Sequence, residues 1–150
     1  MKVFLDEDSS NVDATDNLGW TALHHAASVG KPARDSGDAV RVLLKAGADV
    51  NAKTTGNNYF TPLHVAASQR GASVGTIRAL LEGGANAKGH DKLDETPLHI
   101  ACMIPSVAAV ELLLLWGADE KLTDDDGDTP ADAIDRSSGR KRPQRRRNRG

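Results

Sequence analysis

Three of the five histidines, His24, His64 and His99, each stand three residues after a threonine, at the same place in a phrase that recurs along the 150-residue chain. Histidines in register invite a metal centre. One zinc ion, however, draws its ligands to about 2.0 Å, whereas equivalent positions on neighbouring packed helices lie about 8 to 10 Å apart. His25 and His90 lack partners at ligand spacing, so no metal is expected. The run Asp124-Asp-Asp-Gly-Asp128 hints at a calcium loop. Setting Gly127 at loop position six puts Leu122 at the first ligand place and Ala133 at the last, where carboxylates are required. The run therefore reads as a solvated hairpin. Cys102 offers a thiol, but it fills the second alanine place of its phrase, which is expected to face a core where thiols are inert. No nucleophile elbow, phosphate loop, dinucleotide fingerprint or zinc-protease motif is present. The sequence implies no catalytic residue and no cofactor.

The elements that hold these residues follow from two alternating phrases. One reads Gly19-Trp-Thr-Ala-Leu-His-His-Ala-Ala27, Phe60-Thr-Pro-Leu-His-Val-Ala-Ala67, Glu95-Thr-Pro-Leu-His-Ile-Ala-Cys102 and, in part, Gly127-Asp-Thr-Pro-Ala-Asp-Ala133. The other reads Val42-Leu-Leu-Lys-Ala-Gly-Ala-Asp49, Ala79-Leu-Leu-Glu-Gly-Gly-Ala-Asn86 and Leu112-Leu-Leu-Leu-Trp-Gly-Ala-Asp119. The threonines at 21, 61, 96 and 129 are spaced 40, 35 and 33. A period of about 33 with this T-P-L-H-x-A phrase resembles the ankyrin family. The resemblance runs from about Asn11 to Ile134 and implies an all-α solenoid of stacked helix-turn-helix units joined by β-hairpin-like loops. In that family the histidine bonds backbone of the neighbouring hairpin, and the same role is implied for His24, His64 and His99. Extra residues near 31–37, 56–59 and 71–74 read as longer loops.

Each phrase also has its own physical logic. A threonine hydroxyl caps a helix and the following proline fits the first helical position. Leu63, Ala66 and Ala67, like Leu98, Ala101 and Cys102, then form one apolar stripe. The second helix ends at Gly47, Gly84 or Gly117, where glycine supplies a left-handed residue. Helices of about ten residues are marginal alone, so stacking must supply the core. The reading predicts helices at 21–29, 38–46, 61–69, 75–82, 96–104, 107–116 and 129–136. Residues 1–17 read as a partial preceding repeat, with Phe4 and Leu5 in place of its second helix. Residues 18–135 read as three full repeats plus a partial cap whose Asp132, Asp135 and Arg136 turn outward. Residues 136–150 read as a disordered basic tail.

Composition agrees. Apolar residues make up 39% of the chain but aromatics only 3%, which suits a core of Leu and Ala in closely packed small helices. The formal charge of −2 hides an asymmetry, because residues 136–150 hold eight of the 19 bases and no acid, which leaves the remainder at about −10. No segment has the roughly 20 apolar residues of a membrane span, no secretory leader is evident, and one cysteine cannot form an internal disulfide. An intracellular monomer, cytoplasmic or nuclear, is expected.

The family resemblance implies a non-catalytic scaffold that meets another protein on the concave side, at hairpin tips and first helices. Carried onto this chain, those positions are Trp20, Phe60, Glu95 and Asp128 at the tips and Ser28, Val29, Ser68, Gln69, Met103 and Ile104 on the helices. Trp20 and Phe60 are read either as anchors adding little to inter-repeat packing or as covers over neighbouring hairpins, with Glu95 and Asp128 steering basic flanks of the partner. Asn51, preceded by Leu43, Asp49 and Val50, resembles asparaginyl hydroxylation sites of other ankyrin repeats. Arg140, Lys141, Arg142, Arg145, Arg146 and Arg147 read as a nuclear-import signal or a solubilising linker, with a nucleic-acid contact ranked third. An acidic body argues against phosphate binding.

Overall fold

The threonine at the head of each phrase sets the pattern of the whole molecule. In the computed structural model, which describes residues 12–29, 37–56, 58–70, 74–104 and 106–139, Thr21, Thr61, Thr96 and Thr129 take extended backbone and accept from the amide three residues on. Each opens a short helix: α1 (Ala22–Ser28), α3 (Pro62–Ala67), α5 (Pro97–Met103) and α7 (Pro130–Ser137). Between them run α2 (Gly37–Lys45), α4 (Val74–Glu82) and α6 (Val107–Leu115), each followed by the expected glycine at φ 94°, 95° and 92°. All seven predicted helices are present. No strand is assigned among the described residues.

Two layers result. Helices α1, α3, α5 and α7 pack in sequence as an inner layer and α2, α4 and α6 as an outer one, each outer helix also packing on its own inner helix. Leu23, Leu63 and Leu98 from the inner layer and Val40, Ile77, Leu80 and Leu113 from the outer are fully buried, with Ala67, Ala101 and Ala109 between them. No aromatic ring belongs to this buried set, so alanine does what the composition implied: it lets short helices approach.

Loops between repeats form one-bond hairpins, closed by Asp16 N to Trp20 O, Thr54 N to Phe60 O, Asp91 N to Glu95 O and Asp124 N to Asp128 O at 2.9 to 3.0 Å. Asp16, Asp91 and Asp124 each accept two further amides on Oδ1, and Thr54 Oγ1 accepts the Phe60 amide. Successive hairpins join through Lys92 N to Asn58 O and Asp125 N to Leu93 O. Gly19, at φ 76°, sits so close to the next hairpin that a Cβ would lie 2.4 Å from the Thr55 amide nitrogen.

One hairpin position is left-handed in all four hairpins: Gly19 and Gly127 at φ 76° and 81°, but Tyr59 and Asp94 at φ 52° and 57°. A tyrosine there carries the Cβ clash of the left-handed region, about 1 to 2 kcal/mol, against the lesser entropic cost of glycine. Tyr59→Gly is therefore expected to stabilise the fold by about 0.5 to 1 kcal/mol. Thermal unfolding checks it, and Asp94→Gly should gain less, because aspartate tolerates this region better.

Two expectations need correction. Arg136 does not turn outward: its guanidinium bonds Asp124 Oδ2 at 2.6 Å, Asp128 Oδ2 at 2.8 Å and Glu95 Oε1 at 3.3 Å, and α7 runs on to Ser137. Asp132 is also engaged, its Oδ2 accepting the Thr129 amide and hydroxyl at 3.0 Å. Phe4, Leu5 and residues 140–150 lie outside the described residues. Val12 is buried and Asp13 Oδ1 accepts the Asp49 amide, so the chain before α1 does pair with the loop that follows α2.

Candidate functional site: the hairpin edge and inner helices

The in-register histidines turn out to be the joints of the stack. Nδ1 of His24, His64 and His99 accepts from the amide of its own capping threonine at 3.1, 3.2 and 3.1 Å, and the threonine hydroxyl lies at 2.8, 2.7 and 2.9 Å. With Nδ1 an acceptor, the proton sits on Nε2, which donates to the carbonyl oxygens of Phe60, Glu95 and Asp128 in the next hairpin at 2.8, 2.9 and 2.9 Å. All three rings are fully buried. Burial pushes the imidazole of His64 down to about 4, and that of His24 downward as well, against the raising effect of those carbonyls. In α7, Asp132 replaces the histidine and completes the cap.

Both remaining histidines face single carboxylates, His25 with Asp16 at 2.7 Å and His90 with Asp94 at 3.2 Å. Asp124, Asp125 and Asp126 bring carboxylate oxygens within 4.8 Å of one another. Asp124 is already committed, Oδ1 to the amides of Asp126 and Asp128 and Oδ2 to Arg136, which makes this a hairpin with a structural centre. Cys102 is only half-buried rather than inside the core, and its burial raises the thiol pKa above the ordinary value.

The tip residues divide into two kinds. Trp20 and Phe60 are half-buried against the core, Phe60 stacked on His64 with ring centroids 5.9 Å apart and Trp20 lying 6.0 Å from His24 and 5.2 Å from His25. They shield the buried caps, which favours the reading as covers over that of anchors adding little to packing. Glu95 and Asp128, 8% and 5% exposed, are buried beneath Arg136 and are unavailable for steering a partner. Glu95 is held above the usual carboxylate range by burial first and then by Asp91, with Arg136 opposing.

The exposed apolar residues of this edge are others. Leu18 at 69%, Leu93 at 50% and Tyr59 at 46% exposure stand on three successive hairpins. Sequence reasoning passed over Leu18 and Leu93, although both fall three places before a repeat threonine. On the inner helices and their ends, Val29 is exposed, while Ser28, Ser68, Gln69, Met103 and Ile104 are half-buried. The exposed acids beside the tips are Asp94, Asp125 and Asp126. Asn51 is exposed and its Oδ1 accepts the Asn86 amide at 2.8 Å, which ties two repeats together. The six basic positions from Arg140 to Arg147 lie outside the described residues.

No described helix is long and apolar enough to cross a membrane. A family model for ankyrin repeats, in three copies, matches residues 33–124. Over 109 residues, 72% of this chain and 6% of the relative, the sequence is 38% identical to the E3 ubiquitin-protein ligase KEG of Arabidopsis thaliana. It is 34% identical to Rabankyrin-5 of Homo sapiens over 130 residues, 80% of this chain and 11% of the relative. With the probable 26S proteasome regulatory subunit p28 of Saccharomyces cerevisiae it shares 32% over 101 residues, 67% and 41% of the two chains. The chain thus spans less than half the length of each of these relatives. Repeated caps, histidine joints and hairpins, together with these matches, place the chain in the ankyrin-repeat family.

Proposed function

We propose that this chain is a non-catalytic protein-binding module that recognises its partner along the hairpin edge and the ends of the inner helices. The observation that carries the reading is the row of exposed apolar tips, Leu18, Tyr59 and Leu93, on hairpins of which the first packs closely on the second and the second is hydrogen-bonded to the third. Exposed apolar groups on a rigid support, rimmed by charge, are the usual makings of a binding surface. Val29, Met103 and Ile104 extend it along the helices, and Asp94, Asp125 and Asp126 favour a partner segment with basic flanks.

The histidines, the cysteine and the acidic hairpin all have structural partners or surroundings, which supports a scaffold over an enzyme. The competing reading, nucleic-acid binding through residues 140–150, has the net charge of the folded part against it.

Capture by the intact chain tests the proposal. A Leu18→Ser, Leu93→Ser variant should lose at least about tenfold in affinity for a captured protein while its melting temperature stays within about 2 °C, because the two side chains are largely solvated. Unchanged affinity would remove the hairpin edge from consideration. Phe60→Ala should weaken binding and stability together, since its ring covers His64.

A further inference from the structure

The chemistry of the hairpin edge changes along the stack. Leu18, Asn58, Leu93 and Asp126 stand at one equivalent place, each just before the left-handed residue of its hairpin. At the place that closes each hairpin, Trp20 and Phe60 give way to Glu95 and Asp128. Residues 16–20 and 54–60 hold one acid and no base, and that acid, Asp16, meets His25 at 2.7 Å. Residues 91–95 and 124–128 hold seven acids and one base, Lys92. Apolar tips therefore run from the first hairpin to the third, while carboxylates gather on the third and fourth.

Arg136 does not balance this charge. It meets Glu95, Asp124 and Asp128, with Asp126 at 3.8 Å, yet seven acids against Lys92 and Arg136 leave five negative charges in excess. The carboxylates repel one another: Glu95 is held above the usual range by burial first and then by Asp91, Asp124 and Asp125, and Asp91 is raised by burial with Asp125 adding to it. Asp94, Asp125 and Asp126 are exposed, so the field reaches solvent. Arg136 itself shows what this half accepts, a cation held by the carboxylates of two hairpins at once. The first half offers no such site, and Lys53 stands exposed beside the second hairpin.

Packed helices lie about 8 to 10 Å apart, so four hairpins extend over about 24 to 30 Å. An extended chain covers that length in about seven to nine residues.

We propose that the edge reads a short linear segment of a partner protein, apolar along most of its length and joined at one end only to a cluster of Lys or Arg. The apolar part lies over Leu18, Tyr59 and Leu93, and the basic end over Asp94, Asp125 and Asp126. This rests on the hairpin edge being the recognition surface and adds the partner's chemistry and its direction along the stack. Phosphate-bearing partners are repelled by the same carboxylates.

Selection of a random twelve-residue peptide library against the intact chain, followed by titration of single recovered peptides, tests the proposal. The expected peptides are apolar with Lys or Arg clustered at one terminus, and they weaken several-fold as salt rises from about 50 to 500 mM. Asp94→Asn together with Asp125→Asn should weaken them about three- to tenfold, and so should dividing their basic residues between the two ends. Leu18→Ser with Leu93→Ser should weaken the same peptides at least about tenfold. Peptides that carry no basic cluster, or that respond to the leucine variant and not to the aspartate one, would overturn this inference and leave the hairpin edge in place. Peptides indifferent to the leucine variant would overturn the edge itself. Recovery of no peptide would also overturn the inference, including the case in which the chain's own bases at 140–150 already cover the acids.

Discussion

Acidification from pH 7 to pH 4 is expected to destabilise the stack by about 3 kcal/mol through His64 alone, with His24 acting in the same direction. Both imidazoles are buried neutral, and protonating Nδ1 would remove an acceptor from the amide and hydroxyl of a buried threonine. The folded pKa lies below the ordinary value, so the unfolded chain takes up a proton first. Stability is therefore complete above about pH 6.5 and is lost as the pH falls toward 4. Asp91 and Glu95 act oppositely, since burial raises both carboxyls and their protonation relieves a cost in the folded state. Their effect is confined to the lower part of the window, near the carboxylate range. Urea unfolding at half-unit steps of pH should show the decline beginning below 6.5, and a His64→Asn variant should flatten it. A stability independent of pH between 6.5 and 5 would mean that the rings are hydrated and the joints are weak.

Replacing Arg136 by methionine is expected to cost about 3 kcal/mol, the lower end for breaking a buried ion pair, because the arginine side chain is 30% exposed. Glu95, Asp124 and Asp128, with side chains 11%, 1% and 7% exposed, would face one another without a cation. The same substitution should cost less at pH 4.5, where carboxylates begin to protonate, and adding Asp128→Asn should recover part of the loss. A loss of under about 0.5 kcal/mol at pH 7 would reduce Arg136 to an ordinary surface pair.

The sequence made the stack legible because its signals are local and repeated. Threonine caps, prolines after them and glycines at φ above 90° mark helix ends without reference to tertiary context, and the resemblance assigned the histidines their hairpin partners in advance. Arg136 was misread because its partners lie 8, 12 and 41 residues away, and only folding brings those carboxylates under one guanidinium. Glu95 and Asp128 were placed at an exposed edge for the same reason. Whether Trp20 and Phe60 anchor a partner or cover a hairpin stayed open in the sequence, since no spacing rule tells which face of a tip ring lies against a buried imidazole. The left-handed Tyr59 and Asp94 were legible in principle, because the aligned positions hold Gly19 and Gly127.

Hydrogen exchange on the intact chain, with and without a protein that it captures, tests most directly where recognition lies. Added protection is expected at residues 16–20, 54–60 and 91–95 and at the ends of α1 and α5, with α2 and α4 unchanged. Protection confined to α2 and α4, or to residues 140–150, would contradict it.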